Sequence, residues 1–249
     1  NSDSLKSFHY PDTMNLAGVY SSAMDPDGNI WLLDNTGIFK IDTLCQITRI
    51  LLPDGIAADQ QHHLNGMCVD SSGIIWLTTN LGALLEYNPQ TKTGSTYKLP
   101  AEFNQAFANI YLLEMEANHN RDILISSNLG LLGFNKSSKT FYAFEKNPQN
   151  QVLNSRATVL HSDNFGNLWI GTESDGLLNY SYSTRLSSHK WNENDPASIT
   201  SGWVEKIFET EDGFVWIVSG FNAAGSGLTK MTPKTGEINP YLFSWLTPG

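Results

Sequence analysis

Apolar residues never run unbroken for anything near the ~18 positions that a membrane-spanning helix requires, and no charged-then-apolar leader opens the chain. It starts at Asn1 rather than Met, as a mature or excised piece would. Cysteine is scarce. Cys45 and Cys68 have no metal-ligand spacing, and a disulfide between them is not indicated; within Met67-Cys68-Val69 the second reads as a small buried hydrophobe. Basic residues number 15 against 25 acidic ones, are scattered, and leave a net charge of −10. Phosphate backbones are repelled by such a surface, which argues against nucleic acid as a partner. Helical periodicity is almost missing. One stretch, Ala101 to Met115, has apolar residues at roughly helical spacing; the repeat register described next instead predicts an inner strand at 110–116, with a short helical turn at 101–107.

What is present is a repeat. Aligned on tryptophan, Asp25-Pro-Asp-Gly28-Asn-Ile-Trp31, Asp70-Ser-Ser-Gly73-Ile-Ile-Trp76, Asp163-Asn-Phe-Gly166-Asn-Leu-Trp169 and Thr210-Glu-Asp-Gly213-Phe-Val-Trp216 share a glycine three residues before the ring. A degraded copy, Asn118-His-Asn-Arg121-Asp-Ile-Leu124, fills the double-length gap, so that successive anchors lie 45, 48, 45 and 47 residues apart. Asp and Asn can bond their own backbone and glycine accepts positive φ, so each signature is a chain reversal between two apolar strands. A second glycine follows at Gly37, Gly82, Gly130, Gly176 and Gly227, and each opens a third apolar strand; a third turn leads to a more polar fourth strand such as Ser95-Thr-Tyr-Lys-Leu99.

Four strands per 40 to 50 residues is the arithmetic of a β-propeller blade. Near-continuous apolar inner strands fit sheets covered on both faces by neighbouring blades, and a single blade cannot bury both faces alone. The predicted fold is therefore all-β: a β-propeller of four-stranded antiparallel blades with five repeats visible, at 14–54, 62–101, 108–147, 154–193 and 200–245. Residues 1–13, through Leu5-Lys-Ser-Phe-His-Tyr10, read as the outer strand of a neighbouring blade.

The pattern Asp-x-x-Gly-x-Leu/Ile-Trp-Ile/Leu-x-Thr, followed by Gly-Leu and then Tyr, resembles the two-component regulator propeller repeat, most closely at 155–180 and 195–219. That resemblance implies the periplasmic sensor region of a hybrid two-component regulator of the Bacteroidetes type. It implies a non-catalytic domain without cofactor or metal that binds a small molecule or oligosaccharide, often a glycan fragment, and signals to a covalently linked histidine kinase outside this chain. It also implies more blades than five, about seven, and leaves a homodimer open.

Blade topology says where a ligand would sit. The turn between the second and third strands and the linker into the next blade share one face, opposite the Asp-x-x-Gly turns. Loops held by a rigid scaffold can vary there without disturbing the core. On that face the linkers carry His62, His63, Asn65, Phe107, Trp191 and Trp203, the fifth blade's insertion Gly220 to Gly227 carries Phe221 and Asn222, and the fourth blade's turn, one residue longer than in earlier blades, carries Glu173 and Asp175. Aromatic rings beside amides and carboxylates suit sugars, which offer C–H faces and many hydroxyls. The recurring Trp31, Trp76, Trp169 and Trp216 read instead as core, and Asp25, Asp70 and Asp163 as turn formers. Asp25 to Asn29 lacks the distal Glu of a calcium loop, and Gly220 to Gly225 lacks the Lys-Ser/Thr of a phosphate loop. An enzyme acting on polysaccharide would need paired carboxylates at the channel mouth, such as Glu173 with Asp34 or Asp59, but no carboxylate is embedded in an atypical, apolar inner-strand position there, where its pKa could be raised. A protein-interaction scaffold is the third reading.

Overall fold

The computed structural model describes residues 18–19, 21–53, 56, 64–80, 82–100, 112–117, 122–127, 130–143, 156–180, 186–220 and 226–242. They form a β-propeller of five four-stranded antiparallel blades, each with its strands in sequence order from the inside outwards. Blade one is β1 (Ser21–Met24), β2 (Ile30–Asp34), β3 (Gly37–Ile41) and β4 (Ile47–Ile50); blade two is β5 (Leu64–Val69), β6 (Ile75–Thr79), β7 (Ala83–Asn88) and β8 (Thr93–Lys98). Blade three is β9 (Leu112–Ala117), β10 (Asp122–Ser127), β11 (Gly130–Asn135) and β12 (Thr140–Ala143). Blade four is β13 (Ala157–Ser162), β14 (Leu168–Thr172), β15 (Leu177–Tyr180) and β16 (Leu186–His189), and blade five is β17 (Val204–Glu209), β18 (Val215–Ser219), β19 (Gly227–Thr232) and β20 (Glu237–Leu242). β9 is the strand expected at 110–116; the helical turn expected at 101–107 and the strand expected at 5–10 lie outside the described residues. No described helix is long and apolar enough to cross a membrane.

Inner strands of consecutive blades pack in order, β1 on β5, β5 on β9, β9 on β13 and β13 on β17. The core is therefore divided into layers between blades. Trp31, Leu33 and Ile38 of blade one meet Met67, Ile75, Leu77 and Leu85 of blade two. Trp76 and Leu84 of blade two meet Ile123, Ile125, Leu132 and Phe134 of blade three, and Trp169 and Leu177 of blade four meet Val204, Val215 and Ile217 of blade five. In each case the tryptophan-bearing face lies against the next blade, and burying one such ring is worth on the order of 2–3 kcal/mol. Gly171 permits a close approach, since a Cβ there would lie 2.5 Å from Val159 and 2.6 Å from Val204 of the next blade. Outer strands alternate or face water, as in β8 and β20.

The signature aspartates do more than turn the chain. Asp163 accepts hydrogen bonds from the backbone N–H of Phe165 (3.0 Å) and Asn167 (2.8 Å), and from the indole Nε1 of Trp169 at 2.8 Å. Asp25 and Asp70 hold Trp31 and Trp76 in the same way, at 2.9 and 3.1 Å. A spacing of six residues thus joins a turn former to the one polar atom of a ring that is otherwise buried, which would be costly without an acceptor. Burial raises the pKa of Asp70, but bonds from Lys136, Trp76 and Ser72 outweigh it and hold the carboxyl below its ordinary value; Asp25 is likewise lowered, with Asn29 and Trp31 overcoming burial.

Blade three keeps its place without the tryptophan. Leu124 pairs with Gly133, which pairs with Tyr142, and a Cβ on Gly133 would lie 2.0 Å from Tyr142 Cζ. The ring reaches inward from the fourth strand, over the glycine, and its hydroxyl donates to Asp122 Oδ2 at 2.9 Å. The aromatic and its carboxylate partner are both present, the ring supplied from the outer strand and the carboxylate from β10. Cys45 is exposed and Cys68 buried, and both are free thiols.

Candidate functional site

The face bearing the turns between second and third strands is held together by backbone. In blade four, Thr172 closes the turn, its hydroxyl donating to Gly176 O (2.7 Å) and accepting from Asp175 N (2.9 Å). Glu173 N donates to Arg156 O just before β13, and Gly176 N donates to Gly202 O just before β17, both at 3.0 Å. The extra residue of this turn thus sits where the leading segments of blades four and five meet. Trp203 continues the line, its carbonyl accepting from Gly220 N at 2.8 Å where the blade-five insertion begins. Gly202 lies so close to Ser174 that a Cβ would stand 3.2 Å from its carbonyl oxygen.

Glu173, Asp175 and Trp203 are in this way brought to one corner of the mouth, spaced by three backbone hydrogen bonds. Trp191, 50% exposed, follows Lys190, whose ammonium lies 3.5 Å from Asp175 Oδ1. That pair is solvent-accessible and contributes little to stability. It does place a cation beside a carboxylate. Asn65 belongs to a different blade, on β5. His62, His63, Phe107, Phe221 and Asn222 lie outside the described residues.

A feature that sequence reasoning missed recurs at the same end of the inner strands. The ladders of β5, β13 and β17 each skip one residue near the start, between Leu64 and Gly66, Ala157 and Val159, and Val204 and Lys206. The residues left out are Asn65, Thr158 and Glu205; in β9 the residue between Leu112 and Glu114 is skipped likewise. A bulge re-aims side chains and ends regular pairing, and is over-represented at binding sites. The Thr158 hydroxyl donates across to Val204 O of the next blade. In β5, β13 and β17 the skipped residue is polar and second in the strand, and in β9 it is Leu113. Glu205 is a partly buried carboxylate near the start of the inner strand of blade five.

Asp34, by contrast, is buried and fully used in its own turn, where one oxygen accepts from Thr36 N (2.6 Å), Thr36 Oγ1 (2.7 Å) and Gly37 N (3.0 Å). Its Oδ1 is thus engaged in closing the turn; Asp59 lies outside the described residues. Among the described residues no group of three or more His, Cys, Asp or Glu could hold a metal ion.

No family model and no curated protein matches the sequence. Solved structures match its fold. The extracellular domain of the candidate hybrid two component system BT4673 from B. thetaiotaomicron is 18% identical with a TM-score of 0.68, over 89% of this chain and 28% of that one. Virginiamycin B lyase from Staphylococcus aureus is 17% identical with a TM-score of 0.67, over 94% of this chain and 72% of the lyase. PorZ, a surface component of the type-IX secretion system of Porphyromonas gingivalis, is 17% identical with a TM-score of 0.66, over 91% and 34%. The chain therefore spans under a third of the first of these proteins, and at such identities the likeness is one of fold.

Proposed function

We propose that this propeller is the extracytoplasmic, periplasmic sensing region of a hybrid two-component regulator, and that it binds a glycan fragment without transforming it. The observation that carries the reading is the corner where backbone-clamped turns hold Glu173, Asp175 and Trp203, with the exposed Trp191 next in sequence to the Lys190 that pairs with Asp175. Indole faces stack on sugar C–H surfaces, and carboxylates accept from vicinal hydroxyls. The fold likeness to the extracellular domain from B. thetaiotaomicron supports the sensing role, and a covalently linked histidine kinase would receive the signal. Ligand binding would shift the relation between blades four and five, because their leading segments share the clamp.

A screen of oligosaccharides by thermal shift tests this. A ligand at a hundred times its Kd stabilises the folded state by about 2.7 kcal/mol, so a true ligand raises Tm by several degrees. Trp203→Ala and Asp175→Asn should abolish the shift while leaving the unliganded Tm within about 2 °C. If no glycan shifts the wild-type chain, the glycan reading is lost.

The second reading is a propeller lyase or hydrolase, favoured by the fold likeness to virginiamycin B lyase over most of that enzyme's length and by Glu205 at the bulge of β17. Turnover of a polysaccharide or cyclic substrate that Glu205→Gln eliminates would establish it in place of the first.

A further inference from the structure

The bond from Glu173 N to Arg156 O extends the β13–β14 ladder by one step, since Ala157 is already paired with Thr172. Arg156 and Glu173 therefore stand opposite one another, with side chains on the same face of the sheet and Cβ atoms about 4.5–5.5 Å apart. Alternation along β14 says which face that is. Trp169 and Gly171 look toward blade five, Gly171 lying against Val204, and Glu173 is two residues further on. The pair thus faces the cleft between blades four and five at the mouth, where Gly202 approaches Ser174 and Trp203 leads into β17.

Opposite charges placed across a ladder commonly join, and these do not. Among the described residues neither Arg156 nor Glu173 belongs to an ion pair, whereas the other cation of this corner, Lys190, lies 3.5 Å from Asp175. Arg156 Nε is buried and has no acceptor, while the side chain as a whole is partly exposed. A guanidinium stays charged at any ordinary pH, so a buried N–H of this kind is costly and calls for an acceptor that the chain does not supply.

We propose that Arg156 receives the anionic group of an acidic sugar, a carboxylate or a sulfate, in the cleft between blades four and five. Such a group offers two oxygens to the fork formed by Nε and a terminal nitrogen, a match that a hydroxyl cannot make and that a lysine makes only as a point charge. The Glu173 carboxylate across the ladder accepts from a hydroxyl of the same sugar. The net charge of −10 opposes an anion at long range, but that field is screened over about 8 Å at physiological ionic strength, and contact with the guanidinium decides. This inference rests on the glycan reading and narrows it to sugars that carry negative charge.

Calorimetric titration tests it with a panel in which each acidic oligosaccharide stands beside its neutral counterpart: oligogalacturonate beside its methyl ester, and κ-carrageenan beside agarose oligosaccharides. The expected result is that an acidic member binds at least about tenfold more tightly than its counterpart. Preference for the galacturonate marks a carboxylate, and preference for the carrageenan marks a sulfate. Arg156→Gln should remove the preference, and Arg156→Lys should restore part of it. Lys98→Gln, the same change of charge on the exposed outer strand of blade two, should leave it intact. Circular dichroism and Tm will show that the variants fold. Equal binding of acidic and neutral members, binding of neutral members alone, or a preference that survives Arg156→Gln overturns this inference and leaves the glycan reading standing. No binding by any member overturns both.

Discussion

Replacing Asp70 by alanine should destabilise the propeller more than the same change at Asp25, although both residues hold a signature tryptophan. Asp70 is 4% exposed and accepts from Ser72 N (2.9 Å), Ile74 N (3.2 Å), Trp76 Nε1 (3.1 Å) and, across the blade interface, Lys136 Nζ (2.8 Å). The alanine leaves the buried indole N–H without an acceptor, at about 1–3 kcal/mol, and strips Lys136 of its counter-ion. Loss of one partner of a fully buried pair costs about 3–5 kcal/mol, but the Lys136 side chain is 19% exposed and recovers part of its hydration. Together these give about 3–4 kcal/mol for Asp70→Ala. Asp25 makes a comparable set of bonds within its own turn, with no cation and more solvent, so about 1–2 kcal/mol is expected there. Urea denaturation followed by tryptophan fluorescence measures both. A double-mutant cycle of Asp70→Ala with Lys136→Met isolates the inter-blade pair, which should couple by about 1–3 kcal/mol. Equal losses at Asp70 and Asp25, with coupling near zero, would refute the claim that the signature aspartates also lock neighbouring blades together.

Gly133→Ala should cost about 2–3 kcal/mol, because its Cβ would displace the Tyr142 ring and break the bond to Asp122, whereas Gly73→Ala, with open space and φ +76°, should cost only about 1 kcal/mol; chemical denaturation of both checks the contrast, and adding Tyr142→Ala should relieve the first. Burial lowers the pKa of His161, against Glu209 and Asp163, and of His189. The unfolded chain then takes up protons below about pH 6.5 that the folded one refuses, so stability is fully present above that pH and falls towards the depressed native values. The lowered carboxyls of Asp70 and Asp25 act lower on the scale, their contribution being lost as pH falls below about 4. A Tm profile against pH should decline in these two stages, and His161→Gln should flatten the upper one.

The blades were legible because a repeat writes its register many times. One turn signal is weak, but Gly before Trp at a constant distance in four copies fixes where each second strand begins, and the spacing located the fifth copy at Leu124. What filled the missing ring was not legible, since Tyr142 is eighteen residues and two strands beyond Leu124 and nothing local marks it as a substitute. The bond between Asp163 and Trp169 could have been inferred: the six-residue spacing is invariant in three copies, and it fails where Thr210 replaces the aspartate before Trp216. The bulges at Asn65, Thr158 and Glu205 escaped because a bulge is a mismatch between two strands, and periodicity along one strand carries half of that information. Trp203 falls outside the core register of the repeat. The structure adds why it is held there, through Gly202 and Gly220, by bonds that belong to backbone and leave no trace in residue type.

That difference separates the two faces of the propeller. On the signature face, neighbouring blades are joined through side chains: Asp70 to Lys136, Glu86 to Lys139, and Glu209 Oε2 to the backbone N–H of Asn164. Changing any of these residues breaks a contact between blades, so this face has little freedom to acquire new chemistry. On the mouth face one joint between blades, Gly176–Gly202, and the closures within blades four and five at Glu173–Arg156 and Gly220–Trp203 run from N–H to carbonyl, beside the Thr158 hydroxyl bond to Val204 O. Nearly any side chain can stand at Glu173, Arg156 or Trp203 without altering them; only the glycines, held by close approach, are constrained. A scaffold fixed in this way holds its loop positions steady while their side chains vary. That is the physical condition for one fold to serve a sensor domain and a lyase alike, and it is why specificity in this chain should be sought in the side chains of the mouth.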